Sequence, residues 1–176
     1  RIDHVALIPE RPAPLPAALE AIGEADLILL GPGSLYTSVI PNLLVDGVAH
    51  AIAASRAPKI YICNIMTQEG ETEGYTAADH VEALLAHGEP GLVDLCLANC
   101  APVQPGLVEK YREEDAAPLT VDRARIAAMG LELVERPVAS EQGDFARHDP
   151  DKLAQAILEI YRRRAVRIFR GERRYI

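Results

Sequence analysis

Three apolar runs constrain this chain more than anything else in it: "DLILL" at 26–30, "KIYICNIM" at 59–66 and "LVDLCLANC" at 92–100. A strand with one face in water alternates apolar and polar residues, because its side chains point to opposite faces. "DLILL" does not alternate, which is the pattern of a strand covered on both faces in a parallel sheet, and the other two runs read as further strands. Between them lie segments with helical spacing. "PAPLPAALEAIGEAD" opens on prolines and ends near Gly23, and "PNLLVDGVAHAIAAS" places Leu43, Leu44, Val48, Ile52 and Ala53 on one face. "TAADHVEALLAHG" starts at Thr76 as N-cap with Asp79 three residues on. Later come "DRARIAAMG" as a helix, "LELVERPV" as a strand and "DPDKLAQAILEIYRRR" as an amphipathic helix opened by Asp149 or Asp151. "HVALIP" near the start reads as a further strand. Strands alternating with helices predict an α/β three-layer sandwich with a mostly parallel sheet. In such sheets ligands bind beyond the carboxyl ends of the strands, so the loops leaving the strands are where chemistry is to be sought.

The balance of residues narrows the function classes. The 176 residues are 49% hydrophobic, enough for one domain with a single core, read here as 1–164 followed by a basic tail at 165–176. A net charge of -8 and a pI near 5.1 argue against a nucleic-acid surface. No apolar stretch approaches the roughly 18 residues that a membrane span needs. Cys63, Cys96 and Cys100 are an odd number, without a matching His/Cys pair for zinc; they read as reduced and structural, and predict a cytoplasmic location. The opening "RIDHVALIPE" has neither an initiator Met nor a signal-peptide pattern, so the chain reads as cut from something longer.

Three loops hold more directional groups than a turn requires. "GPGSLYTSVIPN" at 31–42 follows the first strand. Its glycines allow close backbone approach, Ser34, Thr37 and Ser38 add hydroxyls, and a helix expected to start near Pro41 and Asn42 aims its positive end back at the loop. An anion cradle and a plain capped turn both fit this composition, since there is no P-loop, no GxGxxG and no lysine. The second, "CNIMTQEGETEGYTAADHV", offers Asn64, Thr67, Gln68, Glu71, Thr72 and Tyr75 for a base, a sugar or a metal-bound water, against the alternative of a solvated acidic loop. The third, "GDFARHDPDKL", places Arg147 and His148 before a helix, where Arg147 suits a diphosphate and Asp149 suits a cap. Asn99 and Gln104 in "LANCAPVQPG" are further wall candidates, and Cys100 is a weak candidate nucleophile.

"ADLILLGPGSLYTSVIPNLLV", "APKIYICNIMTQEGETEGYTAADHV" and "RHD" before a helix resemble the gluconeogenesis-factor family, the YvcK-like proteins, distant relatives of the CofD 2-phospho-L-lactate transferases. The resemblance runs from about Ala25 to the last helix. It implies a Rossmann-like fold that binds a nucleotide diphosphate sugar, typically UDP-N-acetylglucosamine, in proteins linked to cell shape, cell-wall precursor supply and growth on gluconeogenic carbon sources. It implies Gly31, Gly33, Ser34 and Thr37 as diphosphate contacts, Asn64, Thr67, Glu71 and Thr72 on the nucleotide or sugar side, and Arg147 as the closing charge; Tyr36 stacks or packs. The family's GGGTG loop and DDGGSSG segment are absent from these residues, so the chain resembles the C-terminal half of its relatives. Pro150 stands where many relatives carry a phosphorylatable threonine, which would close that route here.

Three function classes follow as expectations. The first is a nucleotide-sugar-binding regulator, compatible with self-association. The second is a CofD-like phospholactate transferase using Mg2+, for which Glu71, Glu73 and Asp79 are the available carboxylates. The third is a scaffold docking through "RRRAVRIFRGERRYI", against the plainer reading of a solvated basic helix end.

Overall fold

The computed structural model describes residues 2, 4–140 and 143–169, with the side chains from 165 onward outside the description. In chain order it comprises α1 (Pro16–Glu24), β1 (Ile28–Leu30), α2 (Ile40–Leu43), α3 (Val48–Ala54), β2 (Lys59–Ile62), α4 (Ala77–Ala86), β3 (Leu95–Asn99), α5 (Pro105–Arg112), α6 (Arg123–Ala128), β4 (Glu132–Arg136) and α7 (Pro150–Phe169). The four strands lie in sequence order and every pairing is parallel, so the expected α/β architecture is present.

Strand order explains where the helices go. Right-handed crossovers that always step in one direction must all cross the same face of the sheet. That face buries Ile28, Leu30, Tyr61, Cys63, Cys96 and Ala98 against Ile40 and Leu43 of α2, Ile52 of α3, Ala77, Val81 and Leu84 of α4, and Ile126 of α6. The other face, with Ile60, Ile62, Leu95, Leu97 and Val134, is covered by Leu153, Ala156, Ile157 and Ile160 of α7. The continuous apolar runs are therefore two-sided strands. Cys63 and Cys96 are buried within them as expected, and Cys100 beyond β3 is exposed.

Three boundaries differ from the sequence expectation. "HVALIP" is not a strand: residues 4–7 lie outside regular structure, Ile8 is 99% exposed, and only Ile2 and Val5 pack on the core. Among the described residues no strand lies beside this run, so extended geometry gains it nothing there. The helix expected over 41–55 is broken, with Gly47 at φ +74 separating α2 from α3. The basic tail continues α7 to Phe169, and residues 170–176 lie outside the described residues. The capping expectations hold. Thr76 and Asp79 form a reciprocal capping box on α4, and Asp149 Oδ1 accepts from the N–H groups of Asp151 and Lys152, both at 3.0 Å.

Candidate functional site

The loop after β1 is fixed by a close approach to β2. Gly31 has φ +89, and a Cβ there would stand 3.1 Å from the carbonyl oxygen of Ile62, the last residue of β2. At Gly33 a Cβ would meet the Cβ of Ser38 at 3.1 Å, so the loop also folds back on its own helix. That helix begins earlier than expected, at Leu35 rather than near Pro41. The Ser34 carbonyl accepts from the N–H groups of Ser38 (2.9 Å) and Val39 (3.0 Å), and residues Leu35–Val39 form a wide π-type turn that runs straight into α2. Wide turns of this kind are frequent at functional sites. Leu35, Tyr36, Val39 and Ile40 face the core, while Thr37 and Ser38 are exposed. The N–H groups of Gly33, Ser34 and Leu35 have no acceptor among the described residues, although Leu35 is 0% exposed. Unpaired buried backbone donors are rare, and Leu35 with the half-buried Gly33 and Ser34 before it offers a helix start suited to an anion.

The second loop meets the first through a pair of phenols: Tyr36 Oη and Tyr75 Oη are 2.8 Å apart. Inside that loop, two predicted contact residues are occupied with the chain itself. Thr67 is buried, and its hydroxyl accepts from Ala117 N–H at 2.8 Å; Thr72, also buried, accepts from Gln68 N–H at 2.9 Å. Glu71 receives Gln68 Nε2 at 3.4 Å on one oxygen, and its other oxygen is buried without a partner among the described residues.

The helix start at α4 is closed to an outside anion. Asp79 accepts the Thr76 N–H at 2.7 Å, and Asp122 accepts both the Thr76 hydroxyl at 2.7 Å and the Ala78 N–H at 2.9 Å. Arg125 then bridges Asp79 (2.9 Å), Glu82 (2.9 Å) and Asp122 (3.0 Å). Burial pushes the Asp79 carboxyl up, but hydrogen bonds from the Thr76 backbone and from Arg125 outweigh it and hold the group below its ordinary value. Asp122 and Arg125 were not singled out from the sequence. The signal was present in "DRARIAAMG", whose aspartate precedes a helix, but its partner helix lies 44 residues away.

Between the carboxyl ends of β2 and β3 is a cavity of about 320 Å³ lined by Asn64, Ile65, Cys100, Val103, Leu119 and Val121 among others. Asn99 shapes its wall rather than its chemistry. The Asn99 Oδ1 accepts from the N–H groups of Ala101 (3.2 Å), Val138 (3.1 Å) and Ala139 (3.0 Å), and Nδ2 donates to the Ala101 carbonyl at 2.7 Å. Asn64 differs: it lines the cavity, and its side-chain amide bonds no other described residue.

"RHD" crosses the same edge of the sheet. Residues 138–140 and 147–149 pair back to back, with Ser140 N–H on the Arg147 carbonyl and Asp149 N–H on the Val138 carbonyl, both at 2.8 Å. Burial lowers the His148 pKa, and a bond to the Cys63 backbone partly offsets that. Arg147 itself is exposed, with its guanidinium 4.9 Å from the Phe145 ring centroid, and Lys110 Nζ stands 4.5 Å from the same ring. It has no carboxylate partner among the described residues and makes no described contact with the Gly31 loop. No group of three His, Cys, Asp or Glu side chains among the described residues converges on a point that would hold a metal ion.

The model of the family described as 2-phospho-L-lactate transferase CofD matches residues 1–139. The "Gluconeogenesis factor" of Halalkalibacterium halodurans is 47% identical over 159 residues, covering 90% of this chain and 49% of that protein. That of Bacillus subtilis is 44% identical over 160 residues, 91% of this chain and 50% of that protein, and a "Putative gluconeogenesis factor" of Nostoc is 47% identical over 163 residues, 92% and 36%. A crystal structure of a UPF0052-family protein from Bacillus halodurans superposes with a TM-score of 0.86 at 47% identity, covering 89% of this chain and 50% of that one. The chain thus spans about half the length of the first two relatives. It belongs to the CofD family, on the branch whose curated members are gluconeogenesis factors.

Proposed function

We propose that this chain forms part of a nucleoside-diphosphate-sugar site, of the UDP-N-acetylglucosamine class, in a cytoplasmic regulator that links gluconeogenic growth to cell shape and cell-wall precursor supply. One observation carries the reading: the N–H groups of Gly33, Ser34 and Leu35 have no acceptor among the described residues, at the start of a helix on the carboxyl edge of the sheet. Gly31, Gly33, Ser34 and Thr37 receive the diphosphate in this reading, and Asn64 and Glu71 take the nucleotide or sugar side. Thr67 and Thr72, whose hydroxyls already serve the backbone, contribute by holding that loop. Tyr36 packs on Tyr75 and joins the two loops. Arg147, exposed and without a carboxylate partner among the described residues, supplies the closing charge.

Calorimetry of the full-length protein with UDP-N-acetylglucosamine tests this. Saturable heat is expected, and Arg147→Ala should weaken it by about 1.5 to 3 kcal/mol, the range for hydrogen bonds to charged groups. Silence toward that ligand together with binding of GDP would sink the proposal.

The transferase reading has less support in the donor set. Of its candidate carboxylates, Asp79 is engaged by Thr76 and Arg125 and Glu73 by the Gly70 N–H, so only the unpartnered oxygen of Glu71 is left for a cation or a hydroxyl. Among the described residues, these carboxylates do not converge on a Mg2+ site. The proposed unit is a single α/β domain over 1–164, as part of a longer Rossmann-like protein. Two features support that: β1 is an edge strand, and its Leu29, pointing away from the Ile28 and Leu30 face, is 42% exposed where a parallel sheet is normally covered.

A further inference from the structure

The cavity between β2 and β3 has no assigned occupant, and its size and lining are selective. At about 320 Å³ it lies at the bottom of the range for ligand pockets, enough for one ring system and too small for a whole sugar nucleotide. Ile65, Val103, Leu119 and Val121 give it apolar walls, which favour a flat, poorly hydrated group. Asn99, which also lines it, has its amide committed to four backbone partners and cannot read a ligand without losing them. Asn64 is the opposite case: a half-buried amide at the end of β2, presenting one acceptor and two donors with no described partner. A carboxamide in that position pairs in two-point fashion with any ring edge that carries a donor beside an acceptor.

We propose that this cavity is the nucleobase subsite and that Asn64 reads the Watson–Crick edge of the base. The inference rests on the nucleotide reading above and adds where the base lies and what recognises it. The topology is compatible: β2, whose exit loop lines the cavity with Asn64 and Ile65, pairs directly with β1, whose exit loop carries Gly33 and Ser34.

Cys100 provides a built-in reporter, since it lines the cavity and is the exposed cysteine while Cys63 and Cys96 are buried. Alkylation of Cys100 in the full-length protein, followed by mass spectrometry of its peptide, should slow at least fivefold with UDP and with uridine, and not with pyrophosphate. GDP and guanosine in parallel reactions identify which base the pocket prefers, and protection by either nucleoside supports the inference. If UDP or GDP binds by calorimetry but neither nucleoside nor nucleotide protects Cys100, the base lies elsewhere and the subsite is refuted while the nucleotide reading stands. If neither nucleotide binds, both fall. The near-isosteric Asn64→Asp replaces the donor with a charge and should weaken nucleotide binding about ten- to hundredfold while leaving pyrophosphate affinity within twofold. An equal loss for both ligands would assign Asn64 a structural role and overturn its role as base reader.

Discussion

Replacing Gly31 by alanine tests whether the first loop is held by its approach to β2. Two costs act at this position. An L-residue at φ +89 loses about 1 to 2 kcal/mol relative to glycine. In addition the new Cβ would lie 3.1 Å from the Ile62 carbonyl oxygen, a backbone atom that must give by a few tenths of an ångström. Spreading such a shift over bond angles near the end of β2 costs about 1 kcal/mol more. Gly47→Ala is the control, because Gly47 has φ +74 and open space around its Cβ position, leaving only the conformational cost of about 1.5 kcal/mol. The measurement is native-state hydrogen exchange of the full-length protein, read on peptides covering β1 to α2 and β2. Gly31→Ala should speed exchange there roughly hundredfold and Gly47→Ala roughly tenfold, since 1.4 kcal/mol is a factor of ten. Equal effects for the two alanines would refute the argument, because the close approach to Ile62 would then contribute nothing to the placement of the loop.

Asn99→Leu strands the N–H groups of Ala101, Val138 and Ala139 and should destabilise by about 3 kcal/mol in urea unfolding, with Asn99→Asp recovering most of it by keeping the acceptor. Asp122→Ala removes the carboxylate that caps α4 from the residue preceding α6, and about 2 kcal/mol of stability with it; Asp122→Asn should cost less than half as much, by the same measurement. Burial lowers the pKa of His80 and of His148 below the ordinary 6.5, so the unfolded chain takes up protons before the folded one does. Stability should therefore be flat above about pH 7 and fall as pH drops through 6.5, and His80→Gln should flatten part of that fall in pH-dependent thermal unfolding.

The layers of the fold were legible because burial on two faces leaves a continuous apolar signature, and the cap of α4 because Thr76 and Asp79 sit within one turn of each other. What was not legible depends on groups far apart in sequence. "HVALIP" has the residue types of a strand, but pairing needs a neighbour that sequence pattern does not reveal. The helix start moved from Pro41 to Leu35 because Leu35, Tyr36, Val39 and Ile40 bury together, a tertiary gain that overrides the turn-like residues around them. Thr67 and Thr72 suit ligand contacts by residue type, and in the structure their hydroxyls also accept from the Ala117 and Gln68 N–H groups. A hydroxyl in a glycine-punctuated loop carries the same sequence signal whether it faces a ligand or its own backbone.

The two helix starts on the sheet edge differ in how their N–H groups are occupied. Both α4 and the helix beginning at Leu35 point N-terminal N–H groups toward the carboxyl ends of the strands, and either would attract an anion. At α4 the chain fills that role itself, with Asp79 and Asp122 inside hydrogen-bonding distance of Thr76 and Ala78. Those carboxylates satisfy the donors and, with Glu82, balance Arg125, so a diphosphate arriving there would meet occupied N–H groups and like charge. At Leu35 no side chain caps the helix, no acidic residue occupies the first turn, and glycine at 31 and 33 keeps the approach narrow and free of side chains. The proposed diphosphate would therefore find open N–H groups at Gly33 and Ser34 rather than at α4. Adding a capping carboxylate of the chain's own, as in Ser34→Asp, should abolish diphosphate binding in calorimetry while stabilising the helix start by about 1 kcal/mol. A variant that gained stability and still bound the diphosphate at full affinity would place the anion elsewhere.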